Sequence, residues 1–196
     1  RSWQFGYFID APKYQPRPER DYVQLLWCAR LSEVKRPSLA LNILQGLQQR
    51  GINAKLTMVG DGVLRKELES DIAERSLSTH VELTGWQSQD QVREHMSDAD
   101  LFLMTSHHGE GWGLVVNEAL SYGCGVVASD ELGSAVWMVE PEISGVLYSD
   151  TKPEHSLDAK LDRLAELGRE ELLAMGKRGH ASISDTWSSQ VAARRT

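Results

Sequence analysis

A chain of 196 residues is long enough to bury a substantial core in one domain. Its 41% hydrophobic and 25% charged residues are those of a soluble globular protein, and a formal charge of −7 argues against nucleic acid as its main partner. No segment approaches the roughly 18 apolar residues of a membrane span and no secretory signal is visible, while Cys28 and Cys124 lie in apolar runs without metal-ligand spacing; the expectation is reduced, buried thiols and a cytoplasmic setting.

Residues 1–21 combine Pro12, Pro16 and Pro18 with Trp3, Phe5, Tyr7 and Phe8. Proline density argues against a helix, and the aromatics argue against a free linker, so an extended lead-in that packs on this domain or on another one is expected. From Val23 apolar runs alternate with helical patterns. Val23–Ala29 reads as a strand, and a helix follows from Pro37 through Leu39, Ile43, Leu44 and Leu47 to a stop at Gly51. Ala54–Val59 is a second strand, Gly60-Asp61-Gly62 a turn, and Leu64, Leu68 and Ile72 mark a second helix. Val81–Thr84 and Asp100–Thr105 read as strands around a short helix, Gln89–Met96. Beyond a glycine-rich loop comes a helix opening near Gly113, then a strand at Gly125–Ala128, a helical piece at Ala135–Val139 and a last strand at Gly145–Tyr148. The tail carries two amphipathic stripes, Leu157/Leu161/Leu164 and Leu172/Leu173/Met175, which read as core, and a final helix from Asp185 with Trp187 and Val191. Six strands separated by helices predict an α/β, Rossmann-like, doubly wound parallel sheet with helices on both faces and C-terminal helices.

In such a sheet ligands bind beyond the carboxyl ends of the strands, where four candidate segments fall. Arg30-Leu31-Ser32-Glu33-Val34-Lys35 follows the first strand, and its two cations can neutralise a diphosphate without a metal. Gly60-Asp61-Gly62 permits tight turning and close ligand approach. Thr84-Gly85-Trp86 offers an aromatic either to a nucleobase or to loop packing. The fourth, Ser106 to Ser129, holds Glu110-Gly111-Trp112-Gly113-Leu114 and then Glu118, and is the most specific of the four. Its backbone N–H groups suit an anion, which its two carboxylates would repel. Glu110 and Glu118 therefore suit neutral hydroxyls, such as those a sugar offers on either side of a diphosphate. His107-His108-Gly109-Glu110 invites a metal reading, but adjacent histidines in one loop rarely converge on one ion, and no further ligand is evident. P-loop, nicotinamide-binding and Gly-x-Ser-x-Gly motifs are absent from the sequence.

Taken in order and spacing, these residues resemble the C-terminal, donor-binding domain of the retaining GT-B nucleotide-sugar glycosyltransferases of family four, the glycosyl transferases group 1. The resemblance covers nearly the whole chain. It implies that Arg30 and Lys35 hold the donor diphosphate and, with Glu110, carry the catalytic role, Glu110 contacting the donor sugar. It places Gly60, Gly85, Trp86, Gly111, Trp112, Gly113 and Leu114 around the donor and Glu118 on the ribose hydroxyls. The implied reaction transfers a sugar from a nucleotide diphosphate sugar to a hydroxyl acceptor, whether saccharide, lipid-linked or small molecule, with no metal or other cofactor. The glycine usual before the Arg-Leu pair is Ala29 here, and the one usual after the lysine is Arg36. A Gly-Gly-x-Pro-Glu segment is replaced by Gly133-Ser134-Ala135-Val136-Trp137, and Trp112 stands for a more usual phenylalanine.

The resemblance further implies one half of a GT-B fold: residues 1–21 as lead-in and interdomain connection, 22–184 as the donor-binding domain and 185–196 as a C-terminal helix. An N-terminal acceptor domain is then expected outside this chain, together with any peripheral membrane contact made through it. Two rivals remain at this stage, a nucleotide-sugar epimerase of the same architecture and a non-catalytic nucleotide-sugar-binding module. Retention of Arg30, Lys35, Glu110 and Glu118 favours the transferase.

Overall fold

The structure, a computed structural model, describes residues 8–107 and 110–195. Its centre is a six-stranded, all-parallel sheet in the order β3-β2-β1-β4-β5-β6, built from β1 (Val23–Cys28), β2 (Ala54–Val59), β3 (Val81–Gly85), β4 (Leu101–Met104), β5 (Gly125–Ser129) and β6 (Gly145–Tyr148). The strand order reverses between β1 and β4, so the loops after these two strands part and leave a crevice between them. The intervening helices are α1 (Pro37–Gln49), α2 (Arg65–Glu74), α3 (Gln89–Asp98), α4 (Val115–Ser121) and α5 (Gly133–Met138), followed by α6 (Leu157–Thr186) and α7 (Ser189–Arg195).

The apolar runs are continuous in the central strands because both faces are covered. On one face Leu25, Trp27, Leu56, Met58, Leu103 and Val127 pack against α1, α2 and the first half of α6. On the other, Leu26, Phe102, Met104, Val126 and Ala128 meet Met96 of α3, Val116 and Leu120 of α4 and Ala135 and Met138 of α5. In β2 the alternation survives, with Lys55 exposed between buried Ala54 and Leu56. The two leucine stripes of the tail lie in one element, α6, broken at Gly168 (φ 71°, ψ 170°). Among the described residues no helix is long and apolar enough to cross a membrane.

The lead-in packs on this domain, beneath the amino ends of the strands. Arg17 donates to the carbonyls of Ser97 and, at 2.8 Å, Tyr122. Arg20 pairs with Asp98 at 3.0 Å, and Arg20 and Arg169 each stand 3.7 Å from the buried Asp100. Burial pushes the Asp100 carboxyl above the usual range, against the pull of the Gln24 N–H and of Arg20, Arg169 and Arg17. Trp3, Phe5 and Tyr7 lie outside the described residues.

The last helix begins at Ser189 rather than Asp185. The carbonyl of Trp187 accepts the Ile9 N–H at 2.9 Å and its ring meets Phe8 at 5.8 Å, a pairing with the lead-in at the break between α6 and α7.

Candidate functional site

The crevice at the β1/β4 reversal is assembled from loops that touch through backbone. Gly60 adopts φ 132°, and a Cβ there would fall 1.9 Å from the carbonyl oxygen of Ala29; one on Gly62 would fall 2.3 Å from that of Leu31. Only glycine lets the β2 loop close onto the β1 loop in this way. The contact is sealed by Leu31 N–H to Asp61 O at 3.0 Å and Gly60 N–H to Gly85 O at 2.8 Å. The three loops after β3, β2 and β1 thus form one wall.

The β1 loop then makes a single 3-10 turn, Glu33–Lys35, absent from the sequence reading. The opposite wall holds it. Thr105, just past β4, accepts the indole N–H of Trp27 at 2.8 Å and donates to the carbonyl of Lys35 at 2.6 Å, while the His107 N–H reaches the carbonyl of Val34 at 3.2 Å. Anchored in this way, the Lys35 ammonium forms an ion pair with the Glu110 carboxylate across the crevice, with the two side chains 24% and 18% exposed. Arg30 is exposed on the same loop. Burial, and secondarily the charge of Arg30, hold the Lys35 ammonium below the usual lysine range. A neighbouring cation and partial desolvation both favour a site that takes up negative charge.

Glu118 lies half-buried on α4. Burial raises its carboxyl above the usual range, with Arg93 of α3 pulling back. Its charge, after burial, helps lift the Cys28 thiol to about 11, which places Glu118 near the end of β1 and leaves Cys28 a protonated thiol at neutral pH. Both cysteines are free; Cys124 is buried and Cys28 partly so.

The loop between the two glutamates is held from α5. Ser134, fully buried, donates its hydroxyl to the carbonyl of Gly113 at 3.0 Å and its N–H to that of Trp112 at 3.0 Å. Trp112 donates to Asn117 at 3.1 Å and its ring lies over Gly133, where a Cβ would be 3.4 Å away. Gly113 takes φ 78°, a conformation that disfavours any side chain. The segment Gly133–Trp137, distinguished in the sequence by its departure from the family pattern, thus supplies the hydrogen bonds that shape the loop. No periodicity signals this role, since a buried serine in a short helix resembles any turn residue.

Arg30, Lys35, Gly60, Gly85, Glu110, Gly111, Trp112, Gly113 and Glu118 all fall at the carboxyl edge of the sheet. Trp86 does too, and at 78% exposed it is not a packed loop residue; Leu114 is 45% exposed. The helix after the loop, Val115–Ser121 with Leu114 as its N-cap, opens near Gly113 as expected; it is only 7 residues long, and Arg30 and Lys35 add full positive charges to the crevice. His108 and Gly109, part of the metal reading, lie outside the described residues; among those described, no group of three or more His, Cys, Asp or Glu side chains could hold a metal ion.

The chain is 28% identical over 177 residues to the amylovoran biosynthesis glycosyltransferase AmsK of Erwinia amylovora, covering 88% of this chain and 43% of that protein. It is also 28% identical over 200 residues to a GDP-mannose-dependent alpha-(1-6)-phosphatidylinositol monomannoside mannosyltransferase of Mycobacterium tuberculosis H37Rv, covering 91% and 50%. It therefore spans about half the length of the curated relatives it matches. Among solved structures, a mutant of S. aureus TarM in complex with fondaparinux, alpha-GlcNAc-glycerol and UDP superposes with a TM-score of 0.77 at 20% identity, over 97% of this chain and 37% of that one. Anabaena HepE in complex with UDP-glucose gives 0.70 at 23%, over 89% and 49%. These likenesses establish the fold as that of one half of a GT-B glycosyltransferase. The profile of the glycosyl transferases group 1 matches residues 11–181, and the chain belongs to that family.

Proposed function

We propose that this chain is the donor-binding half of a retaining glycosyltransferase that uses a nucleotide diphosphate sugar. The observation that carries the reading is the pairing of Lys35 with Glu110 across the β1/β4 crevice, with Arg30 and Glu118 on the flanking elements. A donor entering the crevice replaces one intramolecular ion pair by two complementary contacts. Its diphosphate takes Lys35 and Arg30, and the released Glu110 carboxylate accepts hydrogen bonds from sugar hydroxyls. Glu118, beside the end of β1, accepts from the ribose, and Trp86 beyond β3 lies against the base. In the reaction the bond from the anomeric carbon to the diphosphate oxygen breaks and the acceptor oxygen bonds to that carbon on the same face. The acceptor proton leaves on the diphosphate, whose growing charge Lys35 and Arg30 stabilise. Orientation is the task of the glutamates.

The UDP in the structural neighbours and the GDP-mannose in a relative's name support a nucleoside diphosphate as the leaving group. The relatives are about twice as long as the matched part, which leaves room for the second, N-terminal domain to which this reading assigns the acceptor. Glycan biosynthesis in the cytoplasm is the setting that fits such a donor. Calorimetric titration of the chain with UDP, GDP, ADP and CDP tests the binding half: saturable heat with at least one supports the reading, and none with any overturns it. Robust sugar transfer by this chain alone would overturn the assignment of the acceptor to another domain.

A further inference from the structure

Arg36, the residue after Lys35, carries the observation least explained by the donor site itself. It sits at φ 49°, ψ 55°, the left-handed region, as the single residue joining the 3-10 turn to α1. The chain turns there from the 3-10 turn into α1, and Pro37 disfavours the right-handed helical region for the residue before it. Glycine would make this turn without strain. Arginine adds a side chain whose guanidinium forks onto both carboxylate oxygens of Asp150, one contact at 3.3 Å and the other shorter. Asp150 stands two residues beyond β6, at the far end of the sheet from β3.

The surroundings fit a built contact. Tyr148 of β6 is fully buried, and its hydroxyl meets no hydrogen-bond partner among the described residues. It feels the charge of Arg36, and of Asp150, Glu131 and Asp130. Asp130 is paired with Lys152 at 3.1 Å. Arg36 thus brings a cation to an edge of the sheet otherwise rich in carboxylates, and Asp150 and Glu131 both favour its charge.

We infer that Arg36 is a positioning residue: its fork onto Asp150 ties the β1 loop to the β6 edge and, together with the Thr105 and His107 contacts at β4, fixes where Lys35 presents its ammonium in the crevice. The consequence for nucleotide binding rests on the donor-site reading above; the consequence for Lys35 does not. A strained residue next to a functional one, with its strain held by a specific contact, is the pattern of a preorganised site.

Arg36→Gly separates this role from folding, because it removes the fork and relieves the strained backbone together. Its thermal midpoint is expected within about 2 °C of the wild type, since the lost pair is partly exposed. Lys35 placement is read without any ligand, as the rate of its acylation by an amine-selective reagent at fixed pH, resolved by peptide mass spectrometry with Lys66 as internal reference. In Arg36→Gly and in Asp150→Asn that rate is expected to rise at least threefold, with Lys66 unchanged, and the double variant is expected to go no further than either single one. Where the wild type binds UDP or GDP, the same variants are expected to weaken binding about tenfold. Wild-type labelling of Lys35 in both single variants overturns the inference, whatever nucleotide binding does. Failure of the wild type to bind any nucleotide overturns the donor-site reading instead and leaves the labelling to decide the role of Arg36.

Discussion

The two edges of the sheet carry the same kinds of charge and use them in opposite ways. At the amino edge Arg17, Arg20 and Arg169 gather around Asp100, whose side chain is fully buried, and the lead-in is stitched there by side chain to carbonyl contacts from Ser97 to Tyr122. At the carboxyl edge Lys35, Glu110 and Glu118 are only partly covered, Arg30 is exposed, and the pairing of Lys35 with Glu110 is one that a ligand can replace. Ionised groups enclosed by protein hold structure, because removing one leaves the others unpaired in a poor solvent. Ionised groups at an open crevice contribute little to stability and keep their capacity for a ligand. Stability and binding should therefore separate by edge.

The largest effect is expected at the amino edge. Asp100→Ala strips the shared partner from Arg20 and Arg169 and an acceptor from the Gln24 N–H, which lies 2.8 Å from the carboxylate. A loss of about 3 kcal/mol is expected. In a domain of this size that is a fall of about 6–12 °C in thermal midpoint, read by circular dichroism. Nucleotide affinity of the folded fraction should stay at the wild-type value. A binding defect as large as the stability defect would break the separation.

Lys35→Ala is the converse. Under the proposed reading it removes one of two cations facing the diphosphate, and nucleotide affinity by calorimetry should fall about a hundredfold, or ~2.7 kcal/mol. The midpoint should move by no more than about 2 °C, since the pair it breaks is partly exposed. A midpoint drop comparable with that of Asp100→Ala would make Lys35 a structural residue and overturn its assignment.

The same contrast shows what residue order can reveal. β2 and β6 occupy the stretches read for them because apolar runs between turn residues leave little choice, and α1 starts at Pro37 because proline suits a first helical turn. The candidate residues were legible as strand-end residues, and the strand order put Arg30, Lys35, Glu110 and Glu118 at one edge. Hidden were features that depend on the meeting of distant segments. Lys35 and Glu110 are 75 residues apart, and only the adjacency of β1 and β4 makes them a pair. The left-handed turn at Arg36 is signalled only by the glycine usual at that position in the family, since an arginine itself gives no local sign of it, and the break of α6 at Gly168 is visible only as one glycine between two leucine stripes. The hold of Ser134 on Gly113 depends on α5 packing beside α4.

The smallest effect sharpens the comparison, because Glu118 belongs to both sides of it. It is half-buried, and burial raises its carboxyl above the ordinary glutamate range. A carboxyl whose folded pKa lies above its unfolded value binds more protons folded than unfolded. Its contribution to stability is therefore lost as pH rises from the unfolded value through the raised folded one, and at neutral pH the charge is a net cost. Glu118→Gln removes that charge while keeping an acceptor oxygen. The midpoint at neutral pH should rise, by about 2 °C at most. Nucleotide affinity should fall about fivefold, or ~1 kcal/mol, because a charge-assisted hydrogen bond to the ribose becomes a neutral one. The pH profile distinguishes this from general loosening. Wild-type binding should weaken on acidification from a higher pH than an ordinary glutamate would give, and the Gln variant, measured with the same nucleotide so that protonation of its phosphates cancels, should lack that step. A variant that lost affinity yet kept the step would assign the titration to another group and remove Glu118 from the ribose.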